Sequence, residues 1–387
     1  MHGEGSCRVL AEQHHDGVPV FPGVMAFSRA QTRERERETR AAHRKKNLPI
    51  PMAARAANFV LRGVDAFSRF VHHLLTAPLV FAGLLPAPRP LKPLESRYVV
   101  VTGASSGIGR DAARTLRKAG FSVWAGVRKD ADAESVRADG LLPLMIDVAD
   151  DDSVARAFNE VAAALANQPG SMLVAVVSNA GVMGKVGPVE CLPLKNVKDT
   201  FEVNVFGALR TVQAFLPLIR EARGRVVVVG SVLGVVTQPG YVQYCMTKYA
   251  LESLADGLRR ELAPLGVTVS LLEPGPILTV RAEPLSIPPI TEKYESAELD
   301  VDPSTRSLYS YVWKFGREVS PLMFNTFGVP VSFTSDAIVH AITARYPLDR
   351  YRVSWAAYFV TEVMNRLPTQ VEDVAMYKMF SWMSRGS

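Results

Sequence analysis

The chain has 387 residues, 48% of them hydrophobic and 21% charged, with 44 Lys+Arg against 38 Asp+Glu and a formal net charge of +6. That balance excludes wholesale disorder, which needs low hydrophobicity and high net charge. The three cysteines, Cys7, Cys191 and Cys245, are odd in number and widely spaced, which excludes a disulfide scaffold. The charge is unevenly placed. Residues 1–97 hold 15 Lys+Arg and 8 Asp+Glu, net +7, and the remainder is net −1. A near-neutral body argues against a nucleic-acid partner, which would require a basic face.

Residues 1–52 read as a poorly ordered basic extension. Ser28 to Lys46 is a charge run without apolar periodicity. Glu34, Glu36 and Glu38 argue against a transit peptide, and no apolar run of secretory type follows the first residues. Met52 is an alternative start.

Residues 53–96 form a second segment. Phe59, Val60, Val64, Phe67, Phe70, Val71 and Leu74 recur at three- and four-residue intervals, with Arg62, Asp65 and Arg69 between them. That spacing predicts an amphipathic helix. It runs into an uncharged stretch from Leu74 to Pro88, interrupted by Pro78, Gly83 and Pro86. Spanning a bilayer takes about 20 apolar residues. Two outcomes stay open, a helix lying on a membrane face and one packed on the protein, and a full span ranks behind both.

From Arg97 onward, apolar β-branched runs alternate with helical patterns. The runs are 98–102, 121–127, 141–148, 172–178, 225–231 and 267–275, and 351–355 reads as a last strand. Continuous apolar strands imply burial on both faces, and strand–helix alternation implies a doubly wound parallel sheet, an α/β Rossmann fold. Residues 97–387 are read as one domain, with an apolar stretch at about 280–330 and a C-terminal helical extension over 356–387.

The first strand ends in Thr102-Gly103-Ala104-Ser105-Ser106-Gly107-Ile108-Gly109, ahead of a helix. Glycines there let the backbone turn sharply and approach a pyrophosphate, and the helix start offers free N–H groups and a positive dipole end. An ordinary tight turn is the bland alternative; the strand-to-helix context favours the dinucleotide.

This pattern resembles the short-chain dehydrogenase/reductase family. TGASSGIG matches the family's TGxxxGxG signature, and the other motifs follow in order. Asp147-Val148 falls where the family touches the adenine, and Asn179-Ala180-Gly181 matches its NAG motif. Asn204 matches its helix asparagine. Ser231 is followed thirteen residues later by Tyr244-x-x-x-Lys248, and Pro274-Gly275-x-x-x-Thr279 closes the sixth strand. The departures are Ser178 before Asn179 and Gly230 before Ser231. The resemblance covers roughly 97–280 and implies that Asn204, Ser231, Tyr244 and Lys248 are catalytic. It also implies that Gly103, Ser105, Ser106, Gly107, Ile108, Gly109, Asp147, Val148, Asn179, Ala180, Gly181, Tyr244, Lys248, Pro274, Gly275 and Thr279 bind a nicotinamide cofactor. Lys248 takes a second role on the nicotinamide ribose, and Asn204 a place in a water-linked proton relay.

The chemistry suits these residue types. A free tyrosine has a pKa near ~10, too high for an efficient base near neutrality. Lys248 lies on the same helix face, and its charge, with that of an oxidised nicotinamide, is expected to lower that value. Ser231 would hold the substrate oxygen against Tyr244. Val127, at the end of the second strand, stands where an NAD-selecting acid is usual, and Arg128 and Lys129 follow it. Arg128 therefore favours NADP(H) over NAD(H), with Asp130 as the contrary sign.

The seven histidines show no metal-site spacing, and Cys245 reads as packing. The chain looks most like the 17β-hydroxysteroid and retinol dehydrogenase branch. Ile287, Ile290, Tyr294, Leu308, Tyr309, Tyr311, Trp313, Phe315, Leu322, Met323, Phe324 and Phe327 make an apolar lid suited to a steroid, retinoid or lipid-like substrate. The bland alternative is that they pack the lid on the core. The stretch after 355 is expected to cap the site, touch membrane or mediate dimerisation. The expected function is reversible alcohol–carbonyl interconversion. The alternatives are a 3-oxoacyl or sugar carbonyl reductase and a non-catalytic dinucleotide-sensing regulator. The cysteines and the missing secretory run place the enzyme in a reducing compartment, cytoplasmic or on the cytosolic face of an intracellular membrane. The expected partners are a small apolar substrate, a membrane surface through 53–88, and a second copy of the chain; none is a nucleic acid.

Overall fold

The computed structural model describes residues 90–278 and 290–384, with Gly63, Phe67, Phe70, Val71, Leu74 and Leu75. The basic extension, Thr279 and Ile287 lie outside the described residues.

The strands are β1 (Arg97–Val101), β2 (Ser122–Val127), β3 (Leu142–Met145), β4 (Met172–Ser178), β5 (Arg225–Val229), β6 (Thr268–Pro274), β7 (Ile277–Leu278), β8 (Val329–Pro330) and β9 (Arg350–Val353). Seven form one sheet in the order β3-β2-β1-β4-β5-β6-β9, and every pairing in it is parallel. β7 and β8 pair separately.

The helices are α1 (Gly107–Lys118), α2 (Asp130–Ala138), α3 (Asp151–Ala166), α4 (Leu194–Phe201), α5 (Gly207–Glu221), α6 (Val242–Leu262), α7 (Ile290–Leu299), α8 (Pro303–Leu308), α9 (Ser310–Lys314), α10 (Ser320–Phe327), α11 (Ser332–Thr343), α12 (Trp355–Glu362) and α13 (Thr369–Ser384).

β1 shows why the sheet sits where it does. Alternate residues of a strand point to opposite faces. Val99 and Val101 enter one apolar layer with Ala112, Ala113 and Leu116 of α1 and Ile338 and Ile342 of α11. Tyr98 and Val100 enter the other, with Val154 and Val161 of α3, Phe215 and Ile219 of α5 and Leu251 and Leu258 of α6. Both faces of the strand are thus buried, so its sequence is apolar throughout rather than alternating. The strand order reverses between β1 and β4. In such sheets the crevice beyond the strand ends at that point is where ligands bind.

A third apolar cluster lies outside the sheet. Tyr294, Trp313 and Phe315 pack with Val186, Tyr241 and Cys245. Tyr294 meets Trp313 edge to face, with ring centroids 6.3 Å apart at 80°. These three aromatics therefore fasten the lid region to the core. Among the described residues no helix is long and apolar enough to cross a membrane.

Candidate active site

The glycine loop and the β4 end meet at the switch point. Gly103 has φ +65, and a Cβ there would come within 2.8 Å of Ala180 Cα. A Cβ on Gly109 would drive into the Gly103 carbonyl oxygen and the Asn179 amide. Larger residues at these two positions would close the cradle. Thr102 clamps the loop to the β4 end. Its Oγ1 accepts from the backbone N–H of Asn179 at 3.0 Å and of Ala180 at 3.1 Å. Asn179 Nδ2 returns a bond to the Thr102 carbonyl at 2.9 Å. Ser106 caps α1 without a side-chain hydrogen bond, and the first turn holds no acid. The α1 start therefore keeps free N–H groups and an uncompensated positive end, the arrangement a pyrophosphate fits.

A cavity of about 1050 Å³ opens from this loop. Of the expected cofactor residues, Gly103, Ser105, Ser106, Ile108, Arg128, Asp147, Val148, Asn179, Ala180, Gly181, Tyr244, Lys248, Pro274 and Gly275 line it. Gly107 and Gly109 do not; they shape the turn from behind. Arg128 Nη1 lies 3.9 Å from Asp147 Oδ2, with both side chains well exposed. The other Asp147 oxygen accepts from Ala149 N–H at 3.1 Å. Arg128 and Asp147 thus mark one end of the cavity, and the residues present fit a dinucleotide laid across the sheet's switch point.

Ser231, Tyr244 and Lys248 meet on the cavity wall. Ser231 follows β5 and caps a single 3-10 turn, its Oγ accepting from Leu233 N–H at 3.1 Å. That bond fixes the oxygen beside Tyr244. Lys248 sits one turn after Tyr244 on α6, donates to the Val229 carbonyl at 3.0 Å, and places Nζ 5.5 Å from the Tyr244 ring centre.

The charge states differ from expectation. Burial pushes the Tyr244 phenol up to about 12, although the Ser231 hydrogen bond pulls it down. Burial likewise brings Lys248 down to about 8. Desolvation of the phenolate outweighs local help, so the expected lowering of Tyr244 is not a property of these side chains alone.

The structure does not bring the Asn204 side chain to the cavity. Asn204 is 1% exposed. Its Oδ1 accepts from Val182 N–H at 2.7 Å, and its Nδ2 donates to the Val182 carbonyl at 2.8 Å and to Thr247 Oγ1 at 3.0 Å. Thr247 in turn donates to the Tyr244 carbonyl at 2.7 Å. Asn204 thus ties the β4 loop to the turn of α6 that carries Tyr244. It lies in a π-turn, Glu202–Phe206, between α4 and α5. Such turns loosen the regular carbonyl pairing and recur at functional sites.

Apart from the expected cofactor residues the cavity is lined largely by apolar side chains, Val182, Met183, Leu233, Val236, Met323, Phe324 and Phe327, with Thr237 and Gln238 among them. Tyr241 and Ser320 also face it and share a 2.6 Å hydrogen bond between their hydroxyls. Trp355, Phe359, Met364, Glu372, Asp373 and Met376 of the last segment complete the wall. The expected lid therefore divides. Met323, Phe324 and Phe327 face the cavity, Tyr294, Trp313 and Phe315 are core, and Leu308 and Leu322 are exposed. Sequence reading missed Tyr241, Ser320 and the α13 acids, because no spacing in the chain marks them. Tyr241→Phe removes the tether between α6 and α10. It is expected to raise the substrate KM about three- to tenfold while leaving the cofactor Kd unchanged, checked by steady-state kinetics beside a cofactor titration.

A family model described as short chain dehydrogenase matches residues 97–287. Retinol dehydrogenase 16 of Rattus norvegicus is 31% identical over 289 residues, covering 73% of this chain and 89% of the relative. The chain belongs to the short-chain dehydrogenase/reductase family. The mitochondrial D-beta-hydroxybutyrate dehydrogenase of Rattus norvegicus is 32% identical, covering 72% of this chain and 82% of the relative. Among solved structures, a short-chain dehydrogenase from Streptomyces avermitilis superposes with TM-score 0.55 at 24% identity, over 75% of this chain and 98% of that one. As a member near the retinol and steroid dehydrogenase branch, the protein is an NAD(P)-dependent oxidoreductase.

Proposed function

We propose that this short-chain dehydrogenase uses NADP(H) to interconvert a primary or secondary alcohol and its carbonyl on an apolar steroid, retinoid or lipid-like substrate. The observation that carries the reading is the continuity of the cavity from the Ser231–Tyr244–Lys248 wall into its apolar half. Relatives named for retinol and for hydroxybutyrate differ greatly in substrate size. A four-carbon hydroxy acid would leave most of the apolar half empty, whereas a large apolar ligand buries it.

The glycine loop, the α1 start and Arg128 would hold the dinucleotide, which supplies the two-electron redox partner. In reduction Tyr244 gives its proton to the carbonyl oxygen, and in oxidation it takes the proton from the hydroxyl. The Ser231 hydroxyl holds that same oxygen. Lys248, charged below about 8, stabilises the phenolate that oxidation requires and reduction leaves behind. A non-catalytic sensor would have no use for this trio. An NADPH-depletion screen across steroid, retinoid, fatty-carbonyl and sugar substrates tests the reading; turnover confined to sugars would overturn it.

For the cofactor, support comes from the exposed Arg128 at the β2 end, with Val127 in place of an acid. Arg128→Ala is expected to raise the NADPH KM about 10- to 100-fold and the NADH KM by less than about threefold, because only NADPH carries the 2′-phosphate. Equal losses would remove Arg128 from that role.

We also place the N-terminal helix on a membrane face. Phe67, Phe70 and Leu75 are helical residues each more than 60% exposed, and Leu74 is 59% exposed, so they do not pack on the protein. An apolar helical stretch that follows a basic run in the sequence suits anionic lipid. Full-length protein is expected to float with anionic vesicles at low salt, and protein beginning at Arg97 to stay behind. If neither floats, the segment has no membrane role.

A further inference from the structure

We propose that Glu372 and Asp373 act as a charge filter on the substrate half of the cavity, passing uncharged alcohols and carbonyls and turning away those that end in a carboxylate. The inference rests on the apolar-substrate reading above and adds to it a specificity device.

Glu372 stands in the first turn of α13 and Asp373 follows it; both line the cavity, Glu372 half-buried and Asp373 exposed. Met376, one turn after Glu372, lines it too and packs on the lid-side apolar cluster. That places this face of α13 on the substrate half. Glu372 also reaches α6: burial is the main cause that pushes the Tyr249 phenol up, the Glu372 charge adds a smaller push, and Tyr249 directly follows Lys248. The Glu372 carboxylate is therefore within electrostatic reach of α6.

The cations are elsewhere. Among the described residues, only Arg128, Lys129 and Lys248 line the cavity with positive charge. Arg128 and Lys129 stand at the β2 end, where Arg128 approaches Asp147. Lys248 is committed to the Val229 carbonyl beside Tyr244. A substrate carboxylate reaching toward α13 would lose part of its hydration, meet no cation among the lining residues there and face two negative charges. Like charges brought together at the half-buried Glu372, with Asp373 beside it, discriminate on the order of tenfold. An acid in a first helical turn also steadies the helix dipole. That role would operate on any face of α13 and would affect stability, not the choice between neutral and anionic substrates.

The test uses the full chain and two matched pairs, an aliphatic methyl ketone and a steroid ketone, each with and without a terminal carboxylate. In the wild type the neutral member of a pair is expected to have a kcat/KM at least about tenfold higher, through KM rather than kcat. In the double variant Glu372→Gln/Asp373→Asn that ratio is expected to fall about tenfold, by a gain on the carboxylate side. Thermal unfolding of both proteins monitors the fold. A wild type that takes both members equally, or a double variant with the same ratio, overturns the filter alone. Turnover of neither neutral ketone overturns the apolar-substrate reading, and the filter with it.

Discussion

Tyr244→Phe is expected to lower kcat by about 10²- to 10⁴-fold in both directions, the usual contribution of a positioned general acid–base group. The substitution deletes one oxygen and keeps the ring. The ring sits beside Lys248 Nζ, and its backbone carbonyl accepts from Thr247 on the same helix, so the phenylalanine side chain fills the same space. Ser231 loses a hydrogen-bond partner but keeps its anchor at Leu233 N–H. Cofactor affinity should therefore stay within about threefold, because the cradle at Gly103, Asn179 and the α1 start is not disturbed. Stopped turnover beside an unchanged cofactor titration would locate the loss in proton transfer. Activity within a few-fold of wild type would remove Tyr244 from the mechanism.

The strands of this fold are legible from the sequence because burial on both faces leaves little room for polar residues. β1, β4 and β5 are apolar in their interiors for that reason, with Arg97, Ser178 and Arg225 only at strand ends, and the alternating helices are their necessary cover. The proposed catalytic trio is legible for a different reason. Tyr244 and Lys248 share one helix, so a local spacing encodes their geometry. Asn204 has no such local partner. Its amide is spent on Val182 and Thr247, contacts made across the fold, and nothing in its own segment indicates that the side chain turns from the cavity.

The lid shows the same limit. Trp313 and Phe324 belong to short helices of similar composition, yet one is core and the other faces the cavity. A π-turn at Phe315–Val319 separates them. The extra residue per turn rotates the following helix relative to a regular 3.6-residue period, and apolar periodicity cannot be carried across it. The α12–α13 wall is a matter of chain return, which local pattern does not contain.

Lys248 gives the second large effect, and its sign follows from burial. Desolvation holds its folded value at about 8, below the ordinary lysine value of 10.5. It is thus cationic below about 8 and neutral above. Tyr244, held at about 12, remains a phenol throughout that range and is ready to give its proton. In the carbonyl-reducing direction kcat/KM is therefore expected to be level from about pH 6 to the pKa near 8, then to fall as Lys248 loses the charge that stabilises the nascent phenolate. The same group bears on stability in the opposite sense. Between about 8 and 10.5 the unfolded chain binds a proton at this lysine that the folded chain does not, so its contribution to stability rises with pH across the window in which activity falls. Lys248→Met should abolish the break near 8, cost about 10²- to 10⁴-fold in kcat, and flatten that part of the stability profile. Rate profiles and thermal unfolding over the same buffers separate the two effects. If the methionine variant kept the break near 8, the titration would belong to another group and Lys248 would not set the activity limit.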